Sequence, residues 1–364
     1  MIPLAFHGHN KPVTALRFND EGDLLFTGSK DGTVCVYRTD GGERIGTYSG
    51  HKAILDIGVN HASTLMASAG MDFKTCIWEV ETGKLLDTID NGAIVRCTGF
   101  LHDDSKLFTV VDGIRGSYSS LSFYNIMPQL HHGQSAPGKY NPTIKWESPE
   151  KIMYAALGPT NDHMYLAFET GELCVLDIET QQEVCSSAPH REEVRRLQFD
   201  RTYHTIASAS KDKTACLLDM RNLRTIQTYK SNVPVNDCAI SPRADHVLLA
   251  GGTEAVDVTT TGGSDKFGVR FHHKVYGELL GEVFCHFGTM HRVLFHPSGK
   301  GFATGAEDGF AKLHMFENSY FRSPGADPIW IPAAERDEPE DDEEEEEDDY
   351  DDDEDEAAAD EEEA

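Results

Sequence analysis

The 364-residue chain is short of everything that would mark a membrane protein, a secreted protein or an enzyme of a familiar kind. No apolar run is long enough to span a bilayer. The first residues, Met1-Ile2-Pro3-Leu4-Ala5-Phe6, lack the basic-then-apolar order of a secretory leader, and no Asn-x-Ser/Thr sequon occurs. The eight cysteines include no CxxC pair, so reduced thiols and a cytoplasmic location are expected. Sequences of the HExxH, P-loop, GxSxG and GxGxxG types are all missing. The expectation is therefore no enzyme, no cofactor and no metal. A loose group of Cys285, His286, His291 and His296 matches no usual ligand spacing.

Basic surface is also scarce. The net charge is −30, but 23 of the 62 acidic residues and one of the 32 basic ones lie from Glu335 onward, which leaves 39 acids, 31 bases and a net −8 in residues 1–334. Residues 338–364 thus read as a disordered acidic tail, joined through 321–337 to a body of residues 1–320. Direct nucleic-acid binding is electrostatically opposed, and docking of the tail to a basic protein is the sharper alternative to a merely solvated appendage.

What is abundant is repetition. Apolar residues at i, i+3 and i+5 recur seven times: Val13/Leu16/Phe18, Ile54/Ile57/Val59, Val95/Thr98/Phe100, Ile152/Ala155/Leu157, Val194/Leu197/Phe199, Val235/Cys238/Ile240 and Met290/Val293/Phe295. The intervals are 41, 41, 57, 42, 41 and 55 residues, four of them the length of one WD-type blade. Turn sequences such as Asn19-Asp-Glu-Gly22 and short alternating stretches such as Thr33-Val-Cys-Val-Tyr37 agree with strands. These features predict an all-β, seven-bladed WD40 propeller, with Ile2–Phe6 as the outer strand that closes the last blade. Residues 127–150 read as a long loop between the third and fourth blades, with Trp146 as an outer-strand residue or an exposed anchor. Residues 257–280 read as an elongated hairpin in the sixth.

A second set of offsets points to buried polar chemistry. His9, His51, His190 and His286 precede Asp31, Asp72, Asp212 and Asp308 by 22, 21, 22 and 22 residues, and Thr27, Ser68, Ser208 and Thr304 lie four residues before each Asp. Trp78 completes the set in the second repeat alone; Tyr37, Leu218 and His314 replace it elsewhere. A catalytic triad occurs once per active site, whereas this group recurs, so a structural hydrogen-bond tetrad is expected. Cys35, Cys76, Cys174 and Cys216 share one repeat position and read as core.

Several stretches resemble the i subunit of eukaryotic translation initiation factor three. They include His246-Val-Leu-Leu-Ala-Gly-Gly252, Glu254-Ala-Val-Asp-Val-Thr-Thr-Thr261, Arg270-Phe271-His272, Phe295-His-Pro-Ser-Gly-Lys300, Glu307-Asp-Gly-Phe310 and Glu21-Gly-Asp-Leu-Leu-Phe-Thr27, across about residues 1–321. The resemblance implies a non-catalytic scaffold that binds the b and g subunits and reaches the small ribosomal subunit through the complex. It also implies a docking face around blades five and six, with Asp212 and Asp219 at acidic positions and Asn232 where an acid would be expected. Asp212 has the structural reading as well, and that reading weighs more. The rival classes are another WD scaffold, such as a kinase-receptor-associated propeller, and an acidic-tailed chaperone of histones or ribosomal proteins.

Overall fold

The computed structural model describes residues 3–114, 118–126, 141–252, 267–317 and 320. Each apolar triplet lies on the first strand of a four-stranded antiparallel sheet, and there are seven such sheets. These inner strands are β2 (Val13–Phe18), β6 (Ile54–Val59), β10 (Val95–Phe100), β14 (Ile152–Leu157), β18 (Val194–Phe199), β22 (Val235–Ile240) and β26 (Met290–Phe295). Each touches the next in chain order, and β26 touches β2, so they line a closed axis. This is the expected seven-bladed propeller.

The ring closes where the sequence predicted. β1 (Leu4–Phe6) pairs antiparallel with β28 (Ala311–Met315), placing Leu4 opposite Leu313 and Phe6 opposite Ala311. The last blade is therefore built from both ends of the propeller sequence. Phe6 is buried against Tyr37, with ring centroids 4.9 Å apart.

The core lies between neighbouring blades. Phe26, Val34 and Tyr48 of the first blade pack on Ile54, Ile57, Met66 and Trp78 of the second, all buried. Each such side chain stabilises the fold by about 1.5–3 kcal/mol through burial. A tyrosine hydroxyl at the outer end often ties one blade to the next: Tyr48 donates to the Val80 carbonyl at 2.8 Å, and Tyr165 to the Met220 carbonyl at 3.1 Å. Cys35, Cys76, Cys174 and Cys216 are buried on third strands, and none of the eight cysteines is in a disulfide.

Two irregularities repeat around the ring. Every inner strand shifts register between its first and third residues, as between Ile54 and Asp56 or Val194 and Arg196. Outer strands of blades one, two, four, five and six also shift, leaving the half-buried Leu86 of blade two and the four residues Ile45, Val184, Ile226 and Leu280 without a ladder partner. The latter four are at least half exposed. A bulge in an outer strand spoils its free edge as a template for another strand.

One expectation needs correcting. Residues 127–150 are not all a connection between blades: Ile144–Ser148 forms β13, the outer strand of the third blade, paired with β12 (Ser119–Asn125). Trp146 sits opposite Leu121 and is partly buried, as an outer-strand residue. The extra length thus falls inside the blade, between its third and fourth strands, because the blade needs β13 to cover Leu121. Residues 127–140, residues 257–266 of the 257–280 segment, the Glu254–Thr261 stretch and the acidic tail lie outside the described residues.

Candidate protein-docking surface

At the end of the ring where second strands turn into third strands, four blades carry the same polar chain. The imidazole Nδ1 faces the carboxylate at 3.0 Å in His9–Asp31, 2.8 Å in His51–Asp72, 3.1 Å in His190–Asp212 and 2.9 Å in His286–Asp308. The Nε2 faces the hydroxyl of Thr27, Ser68, Ser208 and Thr304 at 2.7, 2.8, 2.7 and 2.8 Å respectively. In blade two the Trp78 indole N–H also donates to Ser68 Oγ at 2.9 Å. One assignment satisfies every atom: Nδ1–H donates to the acid, and Nε2 accepts from the hydroxyl.

Burial alone would raise the carboxyl groups of Asp31, Asp212 and Asp308, but hydrogen bonds outweigh it and hold all three below the usual range. For Asp212 these include the backbone N–H groups of Thr214 and Arg191, at 2.9 and 3.0 Å. Burial pushes the His190 imidazole down against the pull of Asp212, favouring its neutral form. The chain ties two turns of a blade together. Among the described residues, no three histidines, cysteines or acids are grouped to hold a metal ion. His286 belongs to its tetrad, while His296 Nε2 meets the Gly22 carbonyl at 2.8 Å, so the loose histidine group is divided.

The three residues named for docking do not share a face. Asp212, between the second and third strands of blade five, and the exposed Asn232, after β21 (Thr225–Lys230), lie at the tetrad end; Ser231 donates its N–H to the Lys213 carbonyl there. Asp219 ends β20 (Thr214–Asp219) opposite Thr205, at the other end of the blade. At about 3.3 Å per residue the two ends are roughly 20 Å apart. Asp212 is only 11% exposed and fully engaged, whereas Asp219 is 26% exposed beside Arg221.

A feature that pattern reasoning missed lies at the Asp219 end. The turn joining β24 (Gly268–His273) to β25 (Leu279–Phe284) leans on β21: Gln227 Nε2 donates to the Val275 carbonyl at 3.1 Å, and Tyr229 Oη to the Lys274 carbonyl at 2.5 Å. This junction displays Ile226, Val275, Tyr276, Leu279 and Leu280, with exposures of 57, 62, 72, 54 and 50%. Scattered surface apolar residues are ordinary, but these five gather at one blade junction. The only available signal was the adjacent Leu279-Leu280 pair, which an alternating strand would not hide on both faces.

The seven four-stranded sheets and the repeated His–Asp–hydroxyl chains define a WD-repeat β-propeller. The family model described as EIF3I matches residues 1–323. Proteins named eukaryotic translation initiation factor 3 subunit I are similar throughout: that of Nematostella vectensis is 35% identical over 323 residues, covering 88% of this chain and 98% of its own. That of Taeniopygia guttata is 34% identical over 323 residues, with the same two coverages. The chain belongs to the family of eukaryotic translation initiation factor 3 subunit I. The solved β-propeller domain of Cps50 (Swd1) from Myceliophteria thermophila superposes with a TM-score of 0.70 at 14% identity, covering 86% of this chain and 98% of that one, a likeness of fold alone. Among the described residues no helix is long and apolar enough to cross a membrane.

Proposed function

We propose that the chain is a non-catalytic scaffold subunit of eukaryotic translation initiation factor three. In this reading it binds the b and g subunits and supports pre-initiation complex assembly and mRNA recruitment on the small ribosomal subunit. Family membership supports the role in translation initiation. The observation that carries the docking part is the exposed apolar junction of blades five and six, Ile226 with Val275, Tyr276, Leu279 and Leu280, bordered by Asp219. Apolar anchors with an acidic rim suit an amphipathic partner segment carrying lysine or arginine. Asp219 replaces Asp212 and Asn232 as the docking acid, because Asp212 is spent within its blade.

The test is affinity purification of the tagged full chain at moderate salt, wild type against Tyr276→Asp and Leu279→Asp. Stoichiometric b and g subunits with wild type, and loss of at least one of them in both variants, is the expected result. Recovery of histones or other basic proteins in their place, abolished by removing residues 338–364, would establish the chaperone reading instead.

A further inference from the structure

The register shift near the start of each inner strand turns the third residue of the strand toward the axis. Those positions hold Asp56, Cys97, Tyr154, Arg196, Asp237 and Arg292 in blades two to seven, and Arg17 joins them from farther along β2. All of these except Cys97 line a cavity of about 570 Å3 that opens at the end opposite the tetrads. Its acids are already used. Asp56 accepts from Arg196 Nη2 at 2.9 Å, and Asp237 accepts from the backbone N–H groups of Cys238 and Val293 at 2.9 and 3.1 Å. Arg196 also lies over the Tyr154 ring, 4.1 Å from its centroid.

Two guanidiniums are left over. Among the described residues Arg17 makes no hydrogen bond or ion pair, and Arg292 uses only Nη1, on the His291 carbonyl at 2.9 Å. Arg292 Nε is buried without a partner, and so is Gln198 Oε1, an acceptor in the same cavity. We infer that the axial cavity binds a small phosphorylated ligand, its phosphate held between Arg17 and Arg292 and a hydroxyl donating to Gln198 Oε1.

Three arginines against two aspartates leave an excess positive charge. Burial raises Asp237 above the usual carboxylate range, against the pull of Arg292 and Arg196. Burial and the neighbouring Arg196 push Arg292 down to about 10, the signature of a cation lacking its counter-charge. A dianion supplies it, and a phosphate monoester offers three terminal oxygens to two guanidinium forks on adjacent strands, more than one carboxylate can. The volume falls in the ordinary range for small-ligand sites, roughly 300–1,000 Å3.

The experiment is calorimetric titration of the full chain with glycerol 3-phosphate, inorganic phosphate and succinate at constant ionic strength. Saturable binding of glycerol 3-phosphate, weaker binding of inorganic phosphate and none of succinate is expected. Arg17→Met and Arg292→Met should each weaken glycerol 3-phosphate by about tenfold or more, the scale of one lost charge-assisted bond. Gln198→Glu should abolish binding while preserving the circular dichroism spectrum, which covers the case of an arginine variant that fails to fold. No saturable binding at millimolar concentration, or full affinity in the variants that fold, overturns the inference. Succinate binding as well as or better than the phosphates also overturns it, in favour of an acidic side chain of a protein.

Discussion

Arg196 and Asp56, 140 residues apart in sequence, meet across the axis at 2.9 Å with both side chains buried. Blade five and blade two are thereby joined without passing through the blades between them. Removing either partner strands the other as a buried charge, so Arg196→Met is expected to lower unfolding free energy by about 3–5 kcal/mol. The double variant Arg196→Met/Asp56→Leu should recover most of that loss. Urea denaturation of the three proteins measures both values; equal loss in single and double variants would refute the coupling.

The tetrads predict unequal blades. Ser68 serves both His51 Nε2 and the Trp78 N–H, whereas Ser208 serves only His190 among the tetrad atoms. Ser68→Ala leaves two buried polar atoms unpaired and should cost about 2–5 kcal/mol; Ser208→Ala leaves one and should cost about 1–3 kcal/mol. Thermal unfolding read by Trp78 fluorescence tests the order of the two.

Acid sensitivity should be traceable to His314. It stands in blade seven where Trp78 stands in blade two, stacked on Phe302 at 4.7 Å, and burial pushes it down to about 4. The unfolded chain takes up this proton near pH 6.5 and the folded one does not. Its contribution is therefore present above 6.5 and is lost as pH falls toward 4, by about 2 kcal/mol between pH 7 and 5. His190, His246, His272 and His296 are lowered too and act in the same direction. His314→Phe should visibly flatten the stability profile over this interval; an unchanged slope would place the sensitivity elsewhere.

Deleting Ile2–Phe6 exposes the edge of β28 and uncovers Tyr37. Loss of the single cooperative transition, with oligomers in size-exclusion chromatography, is the expected outcome. A monomer of unchanged Tm would show that the seventh sheet is stable as three strands.

The blades were legible because each apolar triplet is short, local and repeated, and the tetrads because one offset of 21 or 22 residues fixes three partners. Closure was legible from the shortage of strand sequence after Phe316. The axial charges were not. Asp56, Arg196, Asp237 and Arg292 occupy the unremarkable middle of the triplet, and nothing local tells that a register shift aims them inward or that Arg196 meets Asp56 from 140 residues away. The opposed placement of Asp212 and Asp219 was missed for a related reason. Seven residues of separation reads as nearness in sequence, yet one strand carries it from end to end of a blade.

The pairing of β1 with β28 also constrains how the protein is made. The strand that seals the ring leaves the ribosome first, and its partner follows about 300 residues later, which at roughly 5–20 residues per second is some 15–60 s of waiting. Throughout that interval the nascent chain can complete blades one to six but must hold Leu4–Phe6 unclaimed. The vulnerable period of this fold is thus set by the elongation rate, and a slower ribosome prolongs it.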